Sequence, residues 1–123
     1  MYLCMPQELS RLNWVIDQCV TMHFPFEYHK EKNTARSVDL IGWHASDNSI
    51  LSYLIENNSN LITADYKFAL RTLLYKKTVL FHKPSGERLR LELKTKSLSP
   101  SIKVENYDEI TGYIAESDQV VIP

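Results

Sequence analysis

Glycine is scarce in this sequence, whose 123 residues include only Gly42, Gly86 and Gly112. Phosphate-binding loops and dinucleotide-binding turns need several glycines close together, because the backbone must approach the phosphate closely. The scarcity argues against a nucleotide-binding role of the P-loop or Rossmann type. The sequence also has no Gly-x-Ser-x-Gly turn, which argues against a serine hydrolase built on a nucleophile elbow.

Cysteine is equally sparse. Cys4 and Cys19 have no spacing typical of a zinc site, and the four histidines are dispersed along the chain. Two small buried thiols in a reducing compartment are the simplest interpretation. No apolar run approaches the roughly 20 residues that a membrane helix needs, and the N-terminus lacks the basic and apolar regions of a signal peptide. We therefore expect a cytoplasmic protein with no membrane partner.

The charges are distributed unevenly along the chain. The contents of 44% hydrophobic and 24% charged residues are those of an ordinary globular protein, and the length predicts one domain with a small appendage. Residues 67–103 hold ten basic residues against two acidic ones, whereas the segments on either side are net acidic. A basic block beside an acidic site is typical of a protein that binds a polyanion. A solvated, lysine-rich surface is the alternative explanation.

Residues 47–65 form the most informative stretch. Four apolar residues recur at helical spacing and predict one apolar helix face: Ile50, Leu51, Leu54 and Ile55. The polar residues 57–60 interrupt this pattern, and the apolar residues 61–63 then predict a short buried strand. Asp65 closely follows that strand. Because ligands of open α/β sheets bind outside the carboxyl ends of the strands, Asp65 lies where a site is expected.

The rest of the first two thirds of the chain is predicted to alternate strands and helices. Before the central stretch, strands are predicted at residues 2–5 and 21–28, and a helix at residues 7–19. Residues 29–36 are predicted as a loop, and residues 38–43 as a helical turn or a short strand. After it come a helix at residues 69–75 and a strand at residues 78–81. This order predicts a parallel sheet with flanking helices.

The last third of the chain is predicted to be rich in β structure. Residues 88–94 alternate apolar and charged side chains, which predicts a strand with leucines on one face and basic residues on the other. Shorter strands are predicted at residues 101–105, 110–115 and 119–122. We therefore predict an α/β domain at residues 1–83 and an antiparallel β extension at residues 84–123.

The order of these features resembles that of the PIN-domain and PIN-like nucleases. The similar segments are residues 46–50, with the sequence Ser-Asp-Asn-Ser-Ile, and residues 61–68, with the sequence Leu-Ile-Thr-Ala-Asp-Tyr-Lys-Phe. The resemblance implies a three-layer α/β/α fold and a ribonuclease that uses Mg²⁺ or Mn²⁺. Residues 110–123 are similar to the closing strands of a TRAM module, a small RNA-binding β-barrel; a plain β-hairpin is the alternative.

The resemblance also implies which residues form the site. PIN-type nucleases gather carboxylates around the metal ion, because hard divalent cations prefer oxygen ligands. Asp47 and Asp65 occupy two of the family's acidic positions, so they are the implied catalytic and metal-binding residues. Pro6 stands where the family has an aspartate after its first strand. Glu8 lies two residues further on, and it is the third predicted catalytic and metal-binding residue.

Further candidates and simpler explanations accompany this set. Asp39 is a further candidate for the missing acid, and Asp17 is the next candidate after it. Thr63 is predicted to support the site by orienting a metal-bound water. A helix N-cap is the structural alternative for Asp47, and a turn or cap residue is the alternative for Asp65.

Two functions are therefore predicted. The first is a metal-dependent endoribonuclease, such as a toxin or an RNA-processing factor. The second is a degenerate, non-catalytic module that binds RNA or a protein partner, because the site lacks one aspartate. RNA is the main predicted partner, and an antitoxin and a second copy of the chain are the others. The predicted RNA contacts are four basic side chains: Lys67, Arg71, Arg88 and Arg90.

Overall fold

The computed structural model describes residues 13–25, 27–28, 31, 33–95, 98, 100, 108 and 110–117. The strands are β1 (Asn13–Ile16), β2 (Thr34–Arg36), β3 (Ser59–Thr63), β4 (Val79–His82), β5 (Arg88–Leu93) and β6 (Ile114–Ser117). The helices are α1 (Gln18–His23), α2 (Ser37–Leu40), α3 (Asp47–Glu56) and α4 (Tyr66–Leu73), and a 3₁₀ turn at Thr111–Tyr113 leads into β6.

The six strands form one mixed sheet in the order β2-β1-β3-β4-β5-β6. The first four strands of this order are parallel to one another, and β5 and β6 are antiparallel to their neighbours. The predicted α/β class, with a parallel sheet and added antiparallel strands, is confirmed. Because β1, β3 and β4 are parallel, the residues that follow them lie at the same edge of the sheet, called the carboxyl edge below.

The core lies on both faces of the sheet, because successive residues of a strand point to opposite faces. On one face, Leu61 of β3 packs in a cluster with side chains of α3 and α4. On the other face, Ile62 packs in a second cluster with Trp14 of β1 and Val20 of α1. All five residues of β3 are buried, as expected for a strand between two parallel neighbours. The central strand therefore anchors the elements that carry the site.

Helix α3 begins where the sequence indicates a cap. Ser46 is the N-cap, and its side-chain oxygen accepts a hydrogen bond from the Ser49 amide. Leu54 is fully buried, whereas Ile55, predicted on the same apolar face, is 48% exposed. The reason is geometric, because Ile55 lies about 140° around the helix axis from Ile50. With ten residues, α3 is the longest described helix, and the helices of the described residues are too short and too polar to cross a bilayer.

The structure corrects the N-terminal secondary structure. A helix was expected over residues 7–19, but Asn13–Ile16 is strand β1, and the expected strand at residues 21–28 begins as helix α1. A strand buried on both faces is continuously apolar and has no period of two, so Val15 and Ile16 also fit a helical spacing. The predicted loop at residues 29–36 contains β2. The predicted strand at residues 2–5 lies outside the described residues.

The C-terminal strands continue the same sheet. Leu89 and Leu91 of β5 are buried, whereas Arg88 and Arg90 are partly exposed and Glu92 is exposed, which confirms the predicted alternation. β6 pairs with β5 through Leu93 and Ile114, so the strand begins four residues later than the predicted start at residue 110. Ile110, Ile114 and Leu91 belong to the same core cluster as Leu61. The predicted strands at residues 101–105 and 119–122 lie outside the described residues.

Candidate acidic site at the carboxyl edge of the sheet

Asp17 is the residue that directly follows β1. Its amide donates a hydrogen bond to the Ile62 carbonyl at 2.8 Å, so its backbone is fixed against the central strand. The side chain is buried, at 8% exposure, although it makes no capping bond to helix α1. Instead its Oδ2 accepts hydrogen bonds from the Thr63 hydroxyl at 2.8 Å and from the Cys19 thiol at 3.4 Å. Asp17 is therefore a buried carboxylate held by polar neighbours.

The Thr63 hydroxyl links two acidic residues. It donates its single proton to Asp17 Oδ2 at 2.8 Å and accepts a hydrogen bond from the Asp65 amide at 3.1 Å. A hydroxyl has two acceptor lone pairs, and the Asp65 amide uses one of them, so the role of Thr63 in orienting a metal-bound water stays a prediction. The contacts of this fully buried side chain fix Asp17 relative to the backbone of Asp65.

Asp65 is the N-cap of helix α4. Its Oδ1 accepts a hydrogen bond from the Phe68 amide at 3.2 Å, so the capping alternative describes part of its role. The residue is nevertheless exposed. A carboxylate has two oxygens and about four lone-pair positions, so one capping bond leaves Oδ2 available for a ligand.

Asp47 is the first residue of α3, and Ser46 takes the capping position instead of it. Burial raises the pKa of Asp47, and the negative charges of Asp65 and Asp17 raise it further, while Arg71 acts in the opposite direction. The charges of Asp17 and Asp65 thus act on the Asp47 carboxyl. We call Asp17, Asp47 and Asp65 the acidic site.

A pH series tests the raised pKa of Asp47. Since the folded state holds this proton more tightly than the unfolded state, the free energy of unfolding should fall as the pH rises through the raised pKa. Asp47→Asn removes this contribution, so the variant should gain stability relative to wild type over that interval. Urea denaturation in EDTA measures the difference. Glu56→Gln, an exposed substitution at the other end of α3, is the control, and a difference independent of pH would contradict the prediction.

The other predicted acids stand elsewhere. Asp39 is exposed and forms an ion pair with Arg36 at 2.8 Å, and this guanidinium lowers the pKa of the Asp39 carboxyl. Glu8 lies outside the described residues. The structure links Asp65 to Asp17, the further candidate after Asp39, through the Thr63 hydroxyl. The role of Asp47 and Asp65 as site residues stays a prediction. The signal for Asp17 was present, because the apolar run Trp14-Val-Ile precedes it as Leu61-Ile-Thr-Ala precedes Asp65.

Cys19 of α1 contacts Asp17 through its thiol. Its thiol also lies 3.8 Å from the Thr63 hydroxyl and accepts a hydrogen bond from the Ala64 amide at 3.4 Å. Burial raises the pKa of the Cys19 thiol, and the Asp17 charge raises it further. The thiol therefore stays protonated and donates to Asp17.

The predicted RNA-binding residues fall into two groups. Arg71 of α4 donates a hydrogen bond to Asn48, beside Asp47, and Lys67 lies exposed one turn earlier on the same helix. Residues four apart share a helix face, so both cations are near the acidic site. Arg90 instead pairs with Glu92 at 3.3 Å on β5.

Arg88 is held in a separate network. It lies 3.8 Å from Glu27, its Nη1 donates a hydrogen bond to the Tyr28 hydroxyl at 3.4 Å, and its guanidinium lies 5.7 Å from the centre of the Tyr28 ring. The Tyr28 hydroxyl is 2.5 Å from His82 Nε2. Arg88 thus reaches the carboxyl edge through partners of its own.

An open cleft of about 550 Å³ adjoins the acidic site. Asp65 and Cys19 belong to its wall, which also includes the ends of α1 and β4. The remaining lining residues are His23, Phe24, Ala64, His82, Lys83 and Pro84. The cleft is thus continuous with one carboxylate of the acidic site.

The acidic site offers oxygen ligands for a hard cation. The described residues contain no group of three His, Cys, Asp or Glu side chains already close enough to surround a metal ion. Mg²⁺ binds through one or two carboxylates and keeps several waters, so the donor chemistry of Asp17, Asp47 and Asp65 suits it without a closed cage. Comparison with protein-family models, curated proteins and solved structures gives no match.

Proposed function

We propose that this protein is a PIN-like ribonuclease that hydrolyses RNA phosphodiester bonds with Mg²⁺ or Mn²⁺. The observation that carries the proposal is the link of Asp17 and Asp65 through the Thr63 hydroxyl, at 2.8 and 3.1 Å, at the ends of two neighbouring parallel strands. Ligand sites of open α/β sheets lie at this edge. The strand order and the position of Asp47 at the start of α3 support the same assignment.

Each of the three aspartates would have its own role in binding the cation. Asp17 offers one carboxylate oxygen, because its other oxygen is occupied by Thr63 and Cys19. Asp65 likewise offers the oxygen that does not cap α4. Asp47 completes the negative potential that attracts a divalent cation. The bound cation would lower the pKa of a water and stabilise the charge on the phosphate.

The basic residues of α4 would bind the phosphates of the RNA. Lys67 and Arg71 would contact phosphates on either side of the bond that is cleaved, since Arg71 already reaches Asn48 next to Asp47. Phosphate contacts position a strand without reading its sequence. The site therefore fits a single-stranded RNA whose backbone crosses the start of α3 and α4.

A cleavage assay tests the proposal. Wild type is expected to cut a mixed-sequence RNA with Mn²⁺ and not with EDTA, and Asp65→Asn should remove the cleavage. Glu56→Gln, which also neutralises one exposed acid of the fold, should cleave as wild type does. If cleavage is independent of the added metal, or persists in Asp65→Asn, the proposal is wrong.

A non-catalytic RNA-binding module is the second candidate. The absence of a closed metal-binding group among the described residues favours it. Wild-type protein that binds single-stranded RNA but does not cleave it at any Mn²⁺ concentration would support this candidate over the first.

The salt dependence of RNA binding tests the role of α4 under either candidate. Lys67→Ala combined with Arg71→Ala should reduce the slope of log affinity against log salt by about 1.4, because each lost phosphate contact contributes about 0.7 for single strands. Lys76→Ala combined with Lys77→Ala, at the opposite edge of the sheet before β4, is the charge-matched control and should keep the slope. Equal slopes for the two double variants would contradict this placement of the RNA.

A further inference from the structure

We propose that the cleft beside Asp65 binds one nucleobase of the RNA strand, which stacks on Phe24 and accepts a hydrogen bond from His82 Nδ1. This inference rests on the proposed function, because it places a base next to the site of cleavage. The inference concerns which part of the RNA the cleft binds. The acidic site and the basic residues of α4 do not specify this.

The first observation is a buried polar atom without a partner. His82 ends β4, its side chain is 1% exposed, and it lines the cleft. Its Nδ1 has no hydrogen-bond partner among the described residues. Buried polar groups are nearly always hydrogen-bonded, so the missing partner of this buried nitrogen is assigned to a ligand of the cleft that His82 lines.

The neighbours of His82 determine what that partner must be. The Arg88 guanidinium has no acceptor, so the Tyr28 hydroxyl accepts from Arg88 and is left with a proton to donate to His82 Nε2 at 2.5 Å. Nδ1 then carries the imidazole proton. The opposite tautomer would leave both the Tyr28 proton and the Nδ1 lone pair without partners. His82 Nδ1 is thus a donor, and the ligand must present an acceptor.

The protonation states are consistent with this assignment. Burial lowers the pKa of His82, and Arg88 lowers it further, so the imidazole is neutral near pH 7. Burial raises the pKa of Tyr28 to about 12, so its hydroxyl keeps the proton that it donates. The relay from Arg88 through Tyr28 to His82 therefore holds one tautomer in place.

The walls of the cleft select a flat, neutral ring. Phe24 is partly exposed, and its ring centre lies 4.9 Å from that of His82. Ala64 and Pro84 add apolar surface, whereas Asp65 adds a negative charge that disfavours an anion. Lys83 also lines the cleft, but its ammonium pairs with Glu87 at 3.0 Å. A nucleobase offers a π-face for stacking and edge acceptors for the imidazole donor. The volume of about 550 Å³ is within the range of small-ligand pockets.

Free nucleosides test the cleft without any contribution from catalysis. The four ribonucleosides are titrated into full-length protein in EDTA while the ¹⁵N and ¹H signals of the His82 imidazole are recorded. We expect the nitrogen shifts of the free protein to indicate the Nδ1–H tautomer, and at least one nucleoside to shift the Nδ1 signals saturably. Ribose 5-phosphate should leave them unchanged. No saturable shift up to 10 mM nucleoside, set as roughly the weakest measurable affinity, or an equal response to ribose 5-phosphate, would overturn the proposal.

Two variants separate stacking from hydrogen bonding. Phe24→Ala removes the stacking surface, and His82→Phe keeps a ring of similar size but removes the donor. Each should weaken nucleoside binding about tenfold, whereas Tyr113→Ala, which truncates an exposed aromatic residue on the 3₁₀ turn, should not. If His82→Phe fails to fold, Phe24→Ala and the wild-type imidazole signals still decide, and wild-type affinity in a folded Phe24→Ala would contradict the stacking.

The outcome also separates this inference from the proposed function. Nucleoside binding by a protein that shows no Mn²⁺-dependent cleavage would overturn the ribonuclease assignment and leave the base pocket standing. Metal-dependent cleavage without nucleoside binding would overturn the base pocket alone.

Discussion

Asp17→Asn is expected to lower Mn²⁺-dependent RNA cleavage more than about a hundredfold. The substitution replaces a carboxyl oxygen with an amide nitrogen at the end of β1, where the side chain is buried and already oriented. Residues that orient metal ligands contribute about 10–100-fold to affinity or activity, and a ligand itself should contribute more. Single-turnover cleavage at several Mn²⁺ concentrations measures the loss and shows whether added metal restores activity.

Thr63→Val is the companion variant, which tests the positioning of Asp17 while keeping the Asp17 carboxylate itself. It keeps the shape of the side chain but removes the proton given to Asp17 Oδ2 and the acceptor for the Asp65 amide. We expect a loss of about 10–100-fold, smaller than that of Asp17→Asn. RNA cleavage by Thr63→Val at the wild-type rate would show that the hydroxyl is irrelevant to the proposed activity. Cleavage by Asp17→Asn at the wild-type rate would remove Asp17 from the proposed site.

Leu54→Ala should destabilise the fold by about 2–5 kcal/mol, because it leaves a cavity under a fully buried side chain. Leu54 belongs to the core cluster on the α3 face of the sheet. The adjacent Ile55 is 48% exposed, so Ile55→Ala should change the free energy of unfolding by only about 0.5 kcal/mol. Chemical denaturation of both variants measures the contrast, and similar losses for the two would mean that α3 is rotated from the orientation described above.

The central stretch was predictable because two local signals agreed there. The helical spacing of Ile50, Leu51 and Leu54 and the apolar run after the polar break both match the observed α3 and β3. The alternation predicted for residues 88–94 is the one observed in β5. Where one face of an element is wet, its period is visible in the sequence.

The first strand could not be located in the same way. β1 is buried on both faces between β2 and β3, so its residues show no alternation, and the leucines before it suggested a helix. This error also affected the predicted site, since the aspartate expected after the first strand was sought near Pro6, whereas the residue that follows β1 is Asp17. An acid directly after any short apolar run would have been the better signal.

The cleft had no sequence signal at all. Tyr28 and His82 are 54 residues apart, and nothing in their spacing indicates that the hydroxyl and the imidazole meet. The contact between His82 and Arg88 is the more local one, because these residues pair across the hairpin of β4 and β5. Contacts of this kind depend on how α1 packs over the sheet, which is decided by tertiary packing rather than by local pattern.

The hydrogen bond from the Asp17 amide to the Ile62 carbonyl has a kinetic consequence. It joins two neighbouring interior strands, so the Asp17 amide hydrogen is expected to exchange with solvent when β1 separates from β3, an opening close to complete unfolding. Asp47 lies in the first turn of α3, where amides have no intrahelical acceptor, and its exchange should be fast. Exchange of the Asp17 amide should therefore report the lifetime of the fold, whereas exchange of the Asp47 amide should report only the fraying of the first turn of α3.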